Sequence, residues 1–108
     1  MVHKTAVEGV RKYLNRLSET GLPVSFGVIF GSYATGRANQ YSDIDLVVVS
    51  SDFDKIITRD SINKLWQIAA RIDSRIEPIP CGWLQWQNDR SSAIIEIART
   101  EGQTVSVN

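Results

Sequence analysis

Several features that would point to other classes of protein are scarce or missing in this chain of 108 residues. Cys81 is the only cysteine and His3 the only histidine, which excludes an internal disulfide and a zinc site built from cysteines and histidines. No apolar run approaches the ~20 residues that cross a bilayer, and residues 1–12 lack the apolar segment of a signal peptide. We therefore expect a cytoplasmic protein without a membrane segment.

An excess of charge of either sign is also missing. Twelve lysines and arginines balance twelve aspartates and glutamates. A protein whose main task is to bind a nucleic-acid backbone carries a clear excess of Lys and Arg. Nucleic acid is therefore not expected as the main partner, although one short contact stays open. The length fits a single domain over residues 1–108.

The hydrophobic pattern predicts helices that alternate with strands. Apolar residues recur at helical spacing in three segments, whereas β-branched and aromatic residues dominate four shorter ones. This order predicts an α/β or α+β domain in which helices pack on a small sheet. Helices are expected over residues 3–20, about 61–72 and from 88 or 89 to 99, and strands over residues 24–30, 44–49, 75–79 and 104–107.

The same pattern predicts which residues face the core and where elements begin or end. Asp60 or Ser61 is expected to cap the second helix, and Pro78 and Pro80 are expected to close the third strand. The residues expected to face inward are Ala6, Val10, Tyr13, Leu14 and Leu17 in the first helix, Ile62, Leu65, Trp66, Ala69 and Ile72 in the second, and Ile94, Ile95, Ile97 and Ala98 in the last.

A glycine-serine pair follows the first strand. Gly31 has no Cβ, so its backbone can approach a phosphate group closely. Ser32 adds a hydroxyl donor at a point where a short helix can begin, and helix N-termini attract anions. Two interpretations follow: the pair binds phosphate, or Ser32 simply caps a short helix.

Two aspartates enter the second strand, which is apolar enough to be buried on both faces. Asp43 and Asp45 point to the same side because strand side chains alternate, and their Cα atoms lie ~6.5–7 Å apart. Two such carboxylates repel each other unless a cation lies between them, and oxygen ligands suit Mg²⁺ or Mn²⁺. The alternative is a solvated loop before the strand. Asp52 and Asp54 have the same spacing but lie in a polar loop, where solvated surface or turn chemistry is expected.

Glu77 is the candidate for a third carboxylate. It lies between apolar residues of the third strand, where a glutamate is unfavourable unless it faces a polar site. The alternative is a surface glutamate of an edge strand, with Arg75 as its ion-pair partner.

Trp83 and Trp86 have no role in this chemistry. They either pack in the core or form an interface for a partner subunit, where tryptophan is enriched.

The segments 31–36 (GSYATG) and 42–46 (SDIDL) together resemble the signature of the DNA polymerase β-type nucleotidyltransferase superfamily. The short chain is similar to the minimal branch of that superfamily, the MNT proteins, which are often encoded beside HEPN-domain partners. The resemblance covers nearly the whole chain. It implies the nucleotidyltransferase fold, a small mixed β-sheet with helices packed on it.

The resemblance also implies roles for individual residues. Gly31 and Ser32 would hold the triphosphate of a nucleotide, with Arg37 as an additional phosphate contact or as a solvated arginine. Asp43 and Asp45 would bind Mg²⁺, or Mn²⁺ in its place. Glu77 stands where the family usually has an aspartate, which is expected to act as a metal ligand and general base.

The implied activity is transfer of a nucleoside monophosphate, AMP from ATP by default, to a hydroxyl acceptor that can lie on a partner protein. The alternative is an antitoxin-like interaction subunit of a HEPN/MNT toxin–antitoxin pair, with little or no catalysis. A third reading is an isolated nucleotide-binding regulator. The acceptor, the preferred base and the oligomeric state, a homodimer included, stay open.

Overall fold

The computed structural model describes residues 4–39 and 42–107, so His3 lies outside the described residues. The helices are α1 (Lys4–Glu19), α2 (Arg59–Ile72), α3 (Trp83–Asn88) and α4 (Ala93–Glu101), and the strands are β1 (Val24–Phe30), β2 (Ile44–Ser50), β3 (Ile76–Cys81) and β4 (Gln103–Ser106). Short 3₁₀ turns cover Gly31–Tyr33 and Ser51–Asp54. The predicted order is confirmed, with α3 as an addition.

The four strands form one mixed sheet in the order β3-β2-β1-β4. β1 pairs antiparallel with β2 and with β4, whereas β2 and β3 run parallel. The parallel pair requires a crossover, and α2 supplies it. The predicted fold class, a small mixed sheet with helices packed on it, is therefore confirmed.

The helices cover both faces of the sheet. All five residues predicted for the inner stripe of α1 are fully buried, together with Leu46 and Val48 on one face of β2. Val47 and Val49, on the opposite face, pack in a second cluster that contains Ile95 and Ala98 of α4. The prediction that β2 is buried on both faces is confirmed.

The second helix departs from the prediction in two ways. Thr58 caps it, accepting a hydrogen bond from the Ser61 N–H at 3.1 Å, so neither Asp60 nor Ser61 is the cap. Ile62 and Trp66 are 37% and 46% exposed, although both were expected in the core. Leu65 and Ala69 are buried and Ile72 is partly buried, in agreement with the prediction. Ile68, which was not predicted, is also partly buried against the core, and these residues lie three and four apart.

The last part of the chain contains one more helix than predicted. Residues 83–88 form α3, and α4 starts only at Ala93, where the Ser92 side chain caps it. Ile94 and Ile97 are 48% and 44% exposed, so the expectation that they face inward is wrong. Because α4 contacts the sheet along a narrow stripe, only Ile95 and Ala98 are buried.

Both prolines of the third strand lie inside it rather than at its end. Pro78 and Pro80 are register partners of Leu46 and Val48 in β2. An edge strand tolerates proline because one of its two rows of N–H groups has no partner strand, and β3 is an edge strand. In the part of the chain that the structure describes, no helix has the length and apolarity needed to cross a membrane.

Stability measurements on two leucines test this assignment of the core. Leu46 is fully buried between the helices and the sheet, whereas Leu84 is 56% exposed. We expect Leu46→Ala to lower the free energy of unfolding by about 2–5 kcal/mol, because it leaves a cavity. Leu84→Ala should change it by less than about 0.5 kcal/mol. Urea denaturation of both variants measures the difference, and similar losses would contradict the assignment.

Candidate functional site

Strand pairing brings the predicted carboxylates together at one end of the sheet. Asp45 is the register partner of Glu77 in the parallel β2–β3 pair and of Phe30 in the antiparallel β1–β2 pair. Neighbouring strands lie ~4.8 Å apart, and paired residues point to the same face. Asp43 precedes β2 and reaches the same two side chains. Glu77 is therefore turned toward the aspartates, as the sequence predicted.

The three carboxyl groups influence one another. The pKa of Glu77 is raised because its protonated form donates a hydrogen bond to Asp43, and because of burial and the charges of Asp43 and Asp45. The pKa of Asp45 is raised by burial and by the charge of Asp43. The cluster therefore concentrates negative charge, which bound protons or a cation would neutralise.

The donor set suits a hard divalent cation, but the side chains do not form a finished metal site. Carboxylate oxygens are the ligands that Mg²⁺ and Mn²⁺ prefer. Within residues 4–39 and 42–107, no group of three or more His, Cys, Asp or Glu side chains is arranged to hold a metal ion. Metal binding at Asp43, Asp45 and Glu77 therefore stays a prediction, and it requires the carboxylates to rotate toward a common point.

Gly31 is needed where the turn meets the aspartates. Its φ of +75° lies in the left-handed region, which favours glycine. A Cβ atom at this position would also overlap the Asp45 carboxylate. The Gly31 carbonyl oxygen accepts hydrogen bonds from the N–H groups of Ala34 and Thr35, both at 3.1 Å. The lack of a Cβ at Gly31 thus lets the Asp45 carboxylate approach the turn, and the predicted approach to a phosphate group stays a prediction.

Ser32 and Arg37 keep their side chains available. Ser32 lies inside the short 3₁₀ turn, and Phe30 occupies the cap position without a side-chain hydrogen bond, so Ser32 is not a helix cap. Among the described residues, the Ser32 hydroxyl has no recorded partner, and Arg37 is exposed with none for its guanidinium. Their predicted role in nucleotide binding stays a prediction.

Arg75 does not pair with Glu77. Its guanidinium binds both carboxylate oxygens of Asp73, at 2.9 and 2.6 Å, and donates to the Tyr33 hydroxyl at 3.0 Å. The hydrogen bonds from Arg75 hold the pKa of Asp73 below its usual range. This cluster was not predicted from the sequence. The only local signal was Asp73 between a helix and a strand, where aspartate often binds backbone two residues on.

The two aspartates of the second Asp-x-Asp pair differ: Asp52 lies on the exposed turn, as predicted, whereas Asp54 makes a contact that was not predicted. Asp52 is exposed in the 3₁₀ turn. The Asp54 carboxylate accepts hydrogen bonds from the backbone N–H groups of Leu84, at 3.0 Å, and Gln85, at 3.2 Å, at the start of α3. A Cβ on Gly82 would overlap that carboxylate. Asp54 therefore fixes α3 to the preceding turn.

Of the two tryptophans, Trp86 packs within the protein, whereas Trp83 is exposed. Trp86 packs edge-on against Phe26 with ring centroids 5.7 Å apart, and the Arg99 guanidinium lies 5.2 Å from the centroid of its ring. Arg99 also donates to the Trp86 carbonyl oxygen at 2.8 Å. Trp86 is therefore explained by packing. Trp83 is 42% exposed, so of the two it alone remains available for a partner.

Comparison with known proteins gives a family match by sequence and several matches by structure. The family model described as a nucleotidyltransferase domain matches residues 8–98. Among curated proteins, none matches the chain significantly. A protein from Sulfolobus solfataricus that is described as a proposed nucleotidyltransferase shares the fold with a TM-score of 0.66 and 14% identity, over 91% of this chain and 77% of that chain.

Two other similar structures contain toxin–antitoxin proteins. One is a toxin–antitoxin complex with AMP-PNP, with a TM-score of 0.63 and 19% identity over 94% of this chain and 73% of that chain. The other is a tri-AMPylated HEPN toxin with its MNT antitoxin from Shewanella oneidensis, with a TM-score of 0.55 and 18% identity over 98% and 74%. At such identities these matches establish the fold, and they agree with the resemblance to the MNT branch.

Alanine substitutions at two glycines test the contact between the turn and Asp45. Gly31 and Gly36 have similar φ angles, +75° and +76°, so alanine strains the backbone by ~1–2 kcal/mol in either position. Only at Gly31 does the new Cβ also overlap Asp45. At Gly36, apart from the two adjacent residues, no described residue lies within 4 Å of the new Cβ. We expect Gly31→Ala to lower the melting temperature more than Gly36→Ala. Equal losses would contradict the close approach.

The Asp73–Arg75 pair predicts a pH dependence of stability. Because the folded-state pKa of Asp73 is lowered, the stabilisation is present above the unfolded pKa of ~3.9 and is lost as the pH falls through the lower folded value. We expect Asp73→Asn to destabilise the protein clearly at neutral pH, and the difference from the parent to narrow in strong acid. Urea unfolding at several pH values measures this, and a difference that does not depend on pH would contradict it.

Proposed function

Because the chain belongs to the nucleotidyltransferase domain family, we propose that it transfers a nucleoside monophosphate from a nucleoside triphosphate to a hydroxyl group and releases pyrophosphate. The observation that carries the proposal is the meeting of Asp43, Asp45 and Glu77 beside the Gly31 turn. AMP from ATP is the proposed donor reaction, since one similar structure contains AMP-PNP and another a tri-AMPylated toxin.

In the proposed reaction the acceptor oxygen attacks the α-phosphorus. The bond from that phosphorus to the oxygen bridging the α- and β-phosphates breaks, and pyrophosphate leaves with the bonding electrons. Glu77 accepts the proton of the acceptor hydroxyl, which is the task of a general base. Asp43 and Asp45 would orient the reacting groups through a cation that they hold, because carboxylates alone repel phosphate groups. Positioning of this kind supplies much of the catalysis in phosphoryl transfer.

We propose Mg²⁺ as the cofactor, with Mn²⁺ as a substitute. Asp43, Asp45 and Glu77 are the residues that would hold it, and their shared negative charge supports this choice. When bound, the ion would neutralise phosphate charge and lower the pKa of the acceptor hydroxyl. The three residues would contribute oxygen ligands at one end of the sheet. The side chain of Glu77 is one methylene group longer than that of an aspartate, so its carboxylate lies further from the backbone.

The turn is proposed to hold the triphosphate. Gly31 supplies backbone without a Cβ, and Ser32 supplies a hydroxyl that has no recorded partner among the described residues. Arg37, six residues after Gly31, is exposed and adds a positive charge that would bind phosphate oxygens. Together these groups would bind a polyanion next to the carboxylates.

We propose a HEPN-domain protein as the partner and acceptor, because a similar MNT chain was solved with a HEPN toxin. The second candidate function is an antitoxin-like subunit that neutralises such a toxin mainly by binding it. Exposed Trp83 supports this candidate, since tryptophans are frequent anchors of interfaces. The two functions are compatible when modification of the partner is itself the neutralising act.

Labelling with α-³²P ATP tests the catalytic proposal. The protein is incubated with Mg²⁺, labelled ATP and a HEPN protein encoded beside it, and label on that protein is measured. We expect Asp43→Asn and Asp45→Asn to lower the labelling rate at least about 100-fold, because even residues that only support metal ligands contribute 10–100-fold. Asp52→Asn is the matched control, since Asp52 lies in a separate exposed turn, and it should label at the parental rate.

Three outcomes of this experiment decide between the candidates. Label on the HEPN protein that depends on Asp43 and Asp45 supports transfer. Stable binding of the HEPN protein without label, with binding weakened by Trp83→Ala, supports the interaction subunit. Labelling that survives both aspartate substitutions overturns the assigned site. Light scattering of the chain alone in the same buffer shows whether it forms a homodimer.

A further inference from the structure

A continuous chain of hydrogen bonds runs behind the candidate site. The Asp73 carboxylate accepts from the Arg75 guanidinium at 2.9 and 2.6 Å, and also from the Arg75 backbone N–H at 3.1 Å. Arg75 donates to the Tyr33 hydroxyl at 3.0 Å, and Tyr33 donates to the carbonyl oxygen of Asn39 at 3.2 Å. None of these four residues belongs to the carboxylate cluster, but Tyr33 lies in the turn that starts at Gly31 and Arg75 lies two residues before Glu77.

Arg75 is the member that contacts every segment of the site. Its side chain binds Tyr33, which belongs to the turn that starts at Gly31. Its carbonyl oxygen accepts from the Ile44 N–H at 2.7 Å, between the two aspartates. Arg75 directly precedes β3, and Glu77 lies two residues further along the chain. One residue thus joins the turn, the start of β2 and the start of β3.

The chain of hydrogen bonds is anchored in the core. The Tyr33 side chain is only 6% exposed and packs in the cluster beneath α1 and α2. Asp73 and Arg75 side chains are 15% and 30% exposed, so water competes only in part for their hydrogen bonds. Gly9 of α1 leaves the space that Asp73 occupies, since a Cβ there would lie 2.8 Å from its carboxylate oxygen. The geometry of Arg75 is therefore fixed from both sides.

We propose that Arg75, oriented by Asp73 and acting through Tyr33, is a positioning residue that sets the distance between the Gly31 turn and the carboxylates. This inference rests on the proposed function, because the distance matters only if a nucleotide spans the two. A guanidinium suits the task, since its planar fork binds a carboxylate with two nitrogen atoms and leaves a third to donate elsewhere. A lysine provides one charged nitrogen and cannot hold both partners in this way.

The competing explanation is that Arg75 contributes only to stability. Arg99 provides a matched control for it, because it too forms an ion pair, with Glu96 at 2.7 Å, and lies over an aromatic ring, that of Trp86. Its recorded contacts are with residues 85–96 around α3 and α4 and include none of the three carboxylates. Replacing either arginine should lower stability, but only Arg75 should affect transfer.

The experiment measures kcat and KM for labelled ATP in Arg75→Met, Tyr33→Phe, the double variant and Arg99→Met, each at a temperature where it is folded. We expect Arg75→Met to lower kcat by about 10–100-fold with KM changed less than about threefold, since small misplacements act mainly on the transition state. Tyr33→Phe removes only the hydroxyl, so it should fold and lower kcat in the same direction. The kcat of the double variant should be no lower than that of Arg75→Met, because both substitutions break the same chain of hydrogen bonds.

We expect Arg99→Met to lower the melting temperature and to leave kcat unchanged. Unchanged kcat in Arg75→Met or in Tyr33→Phe overturns the inference, as does an equal loss in Arg99→Met. The inference is also overturned if the decrease in kcat of the double variant equals the product of the decreases in Arg75→Met and Tyr33→Phe. A parent protein that labels no acceptor contradicts the proposed function instead. Amide hydrogen exchange separates the two failures: faster exchange at residues 31–36 and Ile44 in Arg75→Met, but not in Arg99→Met, supports the positioning even then.

Discussion

The register between β2 and β3 is the constraint on which the candidate site depends. It sets Asp45 directly beside Glu77, and a shift of one residue would turn Glu77 to the opposite face of the sheet. The pairing of β1 with β2 is the second part of the same constraint. It sets Phe30 opposite Asp45. Gly31, the next residue, therefore lies beside the Asp45 carboxylate. The site is thus assembled by hydrogen-bonded strands, which hold side chains more rigidly than loops do.

Sequence reasoning succeeded where a pattern is local and repeated. The α1 stripe, the bounds of β1 and the two-sided burial of β2 follow from periodicity and apolar runs, and the structure agrees with them. The meeting of Asp43, Asp45 and Glu77 was predictable because alternation fixes the face of each carboxylate within its strand. The resemblance then supplied what alternation cannot, namely that Glu77 stands where the family has its third carboxylate.

The wrong predictions concern burial and contacts that depend on residues outside the segment being read. In α2 the apolar residues outnumber the places in the core, and only the packing partner decides that Ile68 is covered and Trp66 exposed. α3 is six residues long, and its N-terminus is fixed by Asp54, about 30 positions earlier in the chain. Arg75 binds Asp73 rather than Glu77 because the Asp73 carboxylate also accepts the Arg75 backbone N–H, and this turn holds the two side chains together.

The prolines of β3 have a consequence for how this sheet meets other molecules. Residues two apart in a strand direct their N–H groups to one side, so Pro78 and Pro80 remove neighbouring donors from the same side. Since pairing with β2 persists, that side is the outer edge. An incoming strand would find no donors at either position, which protects the edge from aggregation. Extension of the sheet by another polypeptide is therefore confined to the margin formed by β4.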